Sequence, residues 1–378
     1  MKKYLLLILF TILLKLAYFL FAISVSTNST ITLVIQDENL ISIFKNNDSF
    51  WYEKITNNGY PKITNPKNIG YSKGKVFIQS EWAFFPLYPS VIFITKQIFH
   101  TNFTNSAFII SLIFSAIFIM LFYWFLMYYY EKEKAFFITL LLLLYPFNYY
   151  FSMFYTESIY LSLVLTSFIL IKENKVLLVP IILIPLTLVK ANGITLLLPL
   201  FIYYFEENNI YVSRKINYKL IDKKVLIKLS LMLLSVLVPF IIYSLYQHKM
   251  TNDYFAFRTA QAGWYRQFML PFLSFFRKGD FTTQFNSVYT ILIIIFLIYS
   301  RKKLPLSLNV FIWVSILLPL FSGSVTSMPR FISVIFPFTM LLGSIIYRFK
   351  YKYFILSIFF SLQLYFFYFW LISSPFSY

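Results

Sequence analysis

The chain contains no cysteine, which excludes a disulfide framework, a thiolate metal site and a cysteine nucleophile. Histidine is nearly as scarce: His100 and His248 are the only two, too few for a histidine-rich metal site, and both read as loop or span-end residues. Charge is sparse as well. Only 12% of the 378 residues are charged, against 59% hydrophobic and 22% aromatic, and the mean hydropathy is +0.71, far outside the range of a soluble domain. What charge there is leans one way, with 33 Lys and Arg against 14 Asp and Glu, a net of +19. In a soluble protein that excess would point to nucleic acid. Here many of the cations lie in short loops between apolar runs, where they orient a protein in its membrane, so nucleic acid is excluded as a partner. No internal repeat or heptad run is visible.

Apolar runs long enough to cross a bilayer, about 20 residues each, recur along the chain. They fall near 83–99, 106–130, 135–152, 156–172, 176–205, 227–247, 287–300, 306–322, 331–347 and 353–371. The opening "MKKYLLLILFTILLKLAYFLFAISVS" reads as an uncleaved first span with its N-terminus inside, a signal peptide being the alternative. The expectation is an all-α polytopic membrane protein with about 9–11 transmembrane helices. It forms a single integral membrane domain over residues 1–378, multi-pass in the cell membrane, or in the endoplasmic reticulum membrane of a eukaryote. Residues 26–82 form a long first external loop carrying interfacial helices, and 248–286 a second external loop. The basic stretches 206–228, 301–303 and 348–352 face the cytoplasm by the positive-inside rule. Two schemes satisfy residues 83–205. If each segment crosses once, "YTES" (155–158) lies inside. If 83–99 is re-entrant or interfacial and 176–205 is a hairpin broken near 190–193, "YTES" faces out. The second is favoured because it gathers the polar motifs on one side.

Those motifs are few. In "NNDSFWYEKITNNGY" (46–60), Asp48, Trp51, Tyr52 and Ile55 fall at i, i+3, i+4 and i+7, so an acid and two aromatics share one stripe of a helix. A plain aromatic anchor with a solvated acid accounts for that stretch equally well. In "SEWAFFPLYPS" (80–90), two prolines break a span at its mouth, with Glu81 and Trp82 just above. "YTES", "KANG" and "MPR" put Glu157, Lys190 with Asn192, and Arg330 in or beside apolar runs. An ionisable group at membrane depth costs about 2.5–3.5 kcal/mol on insertion scales and marks either function or a buried ion pair, here Glu157 with Lys190. "DYFAFRTAQAGWYRQF" adds Asp253, Gln261, Trp264 and Arg266 in the second loop, a stretch that a solvated amphipathic helix explains equally well. Acids suit proton abstraction from a hydroxyl, cations suit a phosphate, aromatics suit sugar faces, and the surrounding lipid suits an isoprenoid tail. This set permits sugar transfer from a lipid phosphate without requiring it.

Taken in order, "DSFWYEKITNNGY", "AFFPLYP", "YTES", "KANG", Gln261 with Trp264, and "PRF…FPF" at 329–338 resemble the mannosyltransferase family that adds the second mannose to glycosylphosphatidylinositol anchors, prokaryotic relatives included. The resemblance spans roughly residues 5 to 345. It implies a class C glycosyltransferase-like helical bundle that takes a polyprenyl- or dolichyl-phosphate sugar, with membrane lipid around it and a lipid or glycan as acceptor. It also implies Asp48 as the catalytic base. Lys190 and Arg330 would hold the leaving phosphate, Glu157 would position a cation or a sugar hydroxyl, and Trp51, Tyr52 and Trp82 would pack on sugar or lipid. Glu81, Asn192, Gln261 and Arg266 complete the expected substrate-binding set. No cofactor is required and no metal ligand cluster is distinct, although a divalent cation is compatible. The chain departs from the family at Asn47, where Trp is usual, and at Lys190, where Arg is commoner. The alternatives are a transporter or flippase of lipid-linked sugars, for which the paired broken halves are not visible, and a related class C enzyme acting on protein, lipid A or a cell-wall polymer.

Overall fold

Inside a bilayer every backbone N–H and C=O must find its partner within the protein, which leaves helix or closed barrel. This chain takes helix. The computed structural model describes residues 2–28, 40–65, 69–70, 77–277 and 279–377; the parts of the first-loop expectation that fall on 29–39, 66–68 and 71–76 lie outside them. In order the helices are α1 (Lys2–Asn28), α2 (Asp48–Asn58), α3 (Leu87–Phe99), α4 (Phe103–Leu126), α5 (Lys132–Leu144) and α6 (Glu157–Lys172). Then come α7 (Val179–Val189), α8 (Asn192–Thr195), α9 (Leu197–Glu207), α10 (Lys223–Thr251) and α11 (Ala256–Ala260). The last are α12 (Phe281–Ser300), α13 (Leu306–Leu320), α14 (Met328–Ser333), α15 (Phe336–Ile346) and α16 (Lys352–Leu371). A short antiparallel hairpin of β1 (Tyr211–Val212) and β2 (Lys215–Ile216) separates α9 from α10.

The all-α polytopic class expected from the sequence is what the structure shows. Among the described residues, five helical stretches are long and apolar enough to cross a membrane: Lys2–Ser26, Phe103–Leu126, Lys223–Thr251, Phe281–Lys303 and Lys352–Leu371. Their outer faces expose large apolar side chains such as Leu20, Leu234, Ile242 and Leu292, as a lipid-facing surface requires. Hydropathy alone suggested more full-length spans. Several of the other apolar segments are shorter helices, because proline and polar residues interrupt them: Pro180 and Pro185 lie in α7, and α15 begins only after the turn that follows α14.

α4 packs against α1, α3 and α6, while α6 also touches α7 and α9, and α5 lies against α15 and α16. The buried 3₁₀ turn Asn148–Ser152 interrupts this interior, and its carbonyls need donors. Lys15 Nζ donates to the Ser152 carbonyl at 3.1 Å and to Ser111 Oγ at 3.0 Å, and the Ser115 and Ser158 hydroxyls both donate to the Phe151 carbonyl. Lys15 therefore has a structural task in the first span.

The 16 residues of α6 separate two polar ends of the bundle by about 24 Å. At one end Lys172 pairs with Glu207, Lys3 pairs with Glu133, and Glu206 accepts the Leu306 N–H. At the other, Glu157 meets Lys190. Because α9 returns its Glu207 to Lys172, the segment 176–205 is a hairpin whose tip holds Lys190 beside Glu157. The tip is a true break. α7 stops at Val189, Lys190 is extended (φ −167°, ψ 161°), and Gly193 lies so close to α7 that a Cβ on it would collide with the Leu186 carbonyl oxygen. Gly193→Ala is accordingly expected to cost about 1–3 kcal/mol through overpacking and to displace Lys190. A fall in the thermal midpoint of the detergent-solubilised protein checks this, and an unchanged midpoint would show that the tip yields without cost.

Candidate active site

Asp48 is the first residue of α2, where the helix dipole favours an anion. The turn that delivers it is unusual, since Asn47 has φ 49° and ψ −115°. Asn46 braces that turn: its Oδ1 accepts the Asn47 N–H at 2.8 Å, and its Nδ2 donates to the Trp370 carbonyl at 2.8 Å and to Ser373 Oγ at 2.9 Å. The indole N–H of Trp370 in turn donates to the Ile43 carbonyl at 2.7 Å. The Tyr155 hydroxyl accepts the Asp48 N–H at 3.3 Å.

Opposite Asp48 stands Arg330, on the short helix α14. Its Nη1 is 2.6 Å from Asp48 Oδ2, its Nε donates to Glu157 Oε1 at 2.9 Å, and its guanidinium lies 4.3 Å from the centre of the Tyr155 ring. Glu157 is the first residue of α6 and is wholly buried. The same Oε1 lies 3.5 Å from Lys190 Nζ, which sits 4.3 Å over the Tyr160 ring. Among the described residues Glu157 Oε2 has no hydrogen-bond partner. The four charges thus form a chain from Asp48 through Arg330 and Glu157 to Lys190. The low dielectric around them strengthens each link and makes the loss of any one costly.

This chain floors a cavity of about 700 Å³. Asp48, Trp51 and Tyr52 line it from α2, Ala83 to Phe85 from the proline-broken turn, and Lys190 to Asn192 from the hairpin tip. The second loop contributes Arg258, Gln261, Trp264 and Arg266. Trp51 stacks on Phe84 (6.0 Å, 14°), and Trp264 meets both rings edge-on, which gives the cavity an aromatic wall. Gln261 Oε1 accepts from Arg266 Nη1 at 3.3 Å and so orients that cation. Four cations line the cavity, Lys190, Arg258, Arg266 and Arg330, against Asp48 on the wall and Glu157 beneath, an excess of two positive charges. Among the described residues no three carboxylate or imidazole groups converge as a metal site would need.

Two expected site residues stand elsewhere. Glu81 is buried in an ion pair with Lys54, and Trp82 is fully buried in a satellite core with Ile69, Ala256 and Ala260. Trp82 stacks on Tyr60 at 4.6 Å and donates to the Pro61 carbonyl. Both side chains are held by partners away from the cavity, Glu81 by Lys54 and Trp82 by Tyr60 and the Pro61 carbonyl, which leaves Ala83 to Phe85 to face it. Tyr52 reaches the cavity only in part, its ring being buried edge-on against Phe84 and Tyr88. Three contributors escaped the sequence reading: Arg258, Tyr155 beneath Arg330, and the Asn46 brace. Arg258 was within reach, because it precedes Gln261 by three positions, the spacing of one helical face.

No family model matches the sequence, and no curated protein matches it. Among solved structures the chain is similar to the crystal structure of the Archaeoglobus fulgidus oligosaccharyltransferase in complex with Zn and sulfate, at 11% identity and a TM-score of 0.37. The match covers 93% of this chain and 53% of that one, so the chain spans about half that protein's length.

Proposed function

We propose that this protein is a membrane glycosyltransferase that moves a sugar, with mannose the first candidate, from a polyprenyl- or dolichyl-phosphate donor to a hydroxyl of a lipid or glycan acceptor, on the external face of the membrane. The observation that carries the reading is Arg330 bridging Asp48 and Glu157 at the floor of a cation-lined cavity. Asp48 takes the acceptor's hydroxyl proton as that oxygen forms its bond to the anomeric carbon. The bond from that carbon to the phosphate oxygen breaks, and its electron pair leaves with the lipid phosphate. A single displacement inverts the centre. Lys190 and Arg330 hold the departing phosphate, Arg330 through two parallel hydrogen bonds. Before the donor arrives, Arg330 is committed to Asp48; the phosphate competes for the same guanidinium, so donor binding releases the carboxylate for its work as a base. Glu157, buried and shared between both cations, is the positioning residue.

The test is a screen of donor lipids in proteoliposomes, with the product read by mass spectrometry, in wild type and in Lys190→Ala. Loss of one charge-assisted contact to phosphate, about 1.5–3 kcal/mol, is expected to raise the apparent KM for donor about 10- to 100-fold with a smaller effect on kcat. An unchanged KM would move the phosphate site elsewhere. Donor that crosses the bilayer with no glycosylated product formed would instead favour a transporter, which also uses broken helices such as α7 and α8.

A further inference from the structure

Residues 265–276, between α11 and α12, turn Tyr265, Phe268, Phe272 and Phe276 outward, with Phe268 and Phe276 74% and 80% exposed. This is not loose chain. The Gln267 and Met269 N–H groups donate to the carbonyls of Ser322 and Phe321 at 2.9 Å each, and Ser274 Oγ donates to the Leu320 carbonyl at 2.8 Å. Arg277 Nη1 closes the segment into a loop by donating to the Gly323 carbonyl at 2.7 Å and to the Tyr265 carbonyl at 3.1 Å, and the rings of Phe268 and Phe321 are parallel to within 3°. Polar atoms therefore face inward along the end of α13 while an aromatic ridge faces out. The segment under that ridge is also a cavity wall, because Leu318, Pro319 and Ser322 line the cavity from its other side. The 318–322 stretch is thus shared between the loop that carries the ridge and the cation-lined cavity. At the head of the ridge Arg266 turns into the cavity, next to Tyr265, which turns out.

A ligand with one anionic group and a long apolar tail fits that sequence of surfaces. We infer that the 268–276 ridge is the docking surface for the isoprenoid tail of the lipid-phosphate donor, with the phosphate drawn over the 318–323 wall towards Arg266. The inference rests on the glycosyltransferase reading and adds to it the side on which the donor enters. A ridge serving only to anchor the protein in the bilayer would, once its aromatics are removed, change the use of long- and short-tailed donors alike.

The experiment compares the mannosyl phosphates of undecaprenol and citronellol with wild type and with the double variant Phe268→Ser, Phe272→Ser, both side chains being exposed and outside the catalytic cluster. The apparent KM for the undecaprenyl donor is expected to rise about ten-fold, with KM for the citronellyl donor and kcat for both unchanged. Equal changes for the two donors, or none for either, would overturn the assignment and leave a bilayer anchor. Wild type that transfers from neither lipid, nor from any other donor in the proteoliposome screen, would overturn the glycosyltransferase reading, and the tail site with it.

Discussion

Asp48→Asn is expected to lower the rate of sugar transfer by about 100- to 10,000-fold, the range that a positioned general base contributes. An amide cannot take up the acceptor's proton, but it keeps the size of the carboxylate and an oxygen that accepts from Arg330. The backbone of α2 is held independently, by the Tyr155 hydroxyl and by Asn46 with its partners Trp370 and Ser373. The variant should therefore insert and fold. Donor affinity should hold or improve, because Arg330 is released from a 2.6 Å contact with a charged partner. Product formation in proteoliposomes, measured beside donor binding by the same protein, separates the two effects. Wild-type turnover in this variant would remove Asp48 from the role of base.

Glu157→Gln should act on stability first. The carboxylate is fully buried, and a single oxygen serves both Arg330 and Lys190. Once it is neutral, two buried cations face each other with only Asp48 to offset them. Removing one member of a buried ionic cluster costs about 3–5 kcal/mol, which should appear as a marked drop in the thermal midpoint. Activity should fall as well, chiefly through KM for donor, because Lys190 and Arg330 lose the group that fixes their spacing. A variant as stable as wild type would mean that Asp48 alone suffices to hold the cations, and Glu157 would lose its positioning role.

The physics that is local in the chain was legible in the sequence. Apolar runs gave helices, the i, i+3, i+4 stripe placed Asp48, Trp51 and Tyr52 on one helix, and the charges in "YTES", "KANG" and "MPR" marked the groups that the fold gathers. The Glu157–Lys190 pair was among the readings the sequence offered, but the bridge from Arg330 to Asp48 was not legible, because it spans 282 positions and nothing nearby encodes that pairing. The reading of Trp82 went astray for a related reason. Trp at a span mouth suits the bilayer surface, but this ring is held in the satellite core by Tyr60 and the Pro61 carbonyl and packs there with Ala256 and Ala260, some of them far away in sequence. The break at Lys190 was foreseen as the tip of a hairpin, but the number of full-length spans was overestimated, since hydropathy registers apolar content and is blind to the turns that shorten helices such as α15.

The brace on Asn46 ties the loop that carries Asp48 to the turn after α16, through Trp370 and Ser373. Load applied at residues 370–373, by a fused reporter or by immobilisation on a surface, would be passed straight to the site. The exposed hairpin of β1 and β2 follows Glu207 at the far end of the bundle. That makes it the place to attach a purification handle, or a rigid fiducial for imaging, without disturbing the carboxylate.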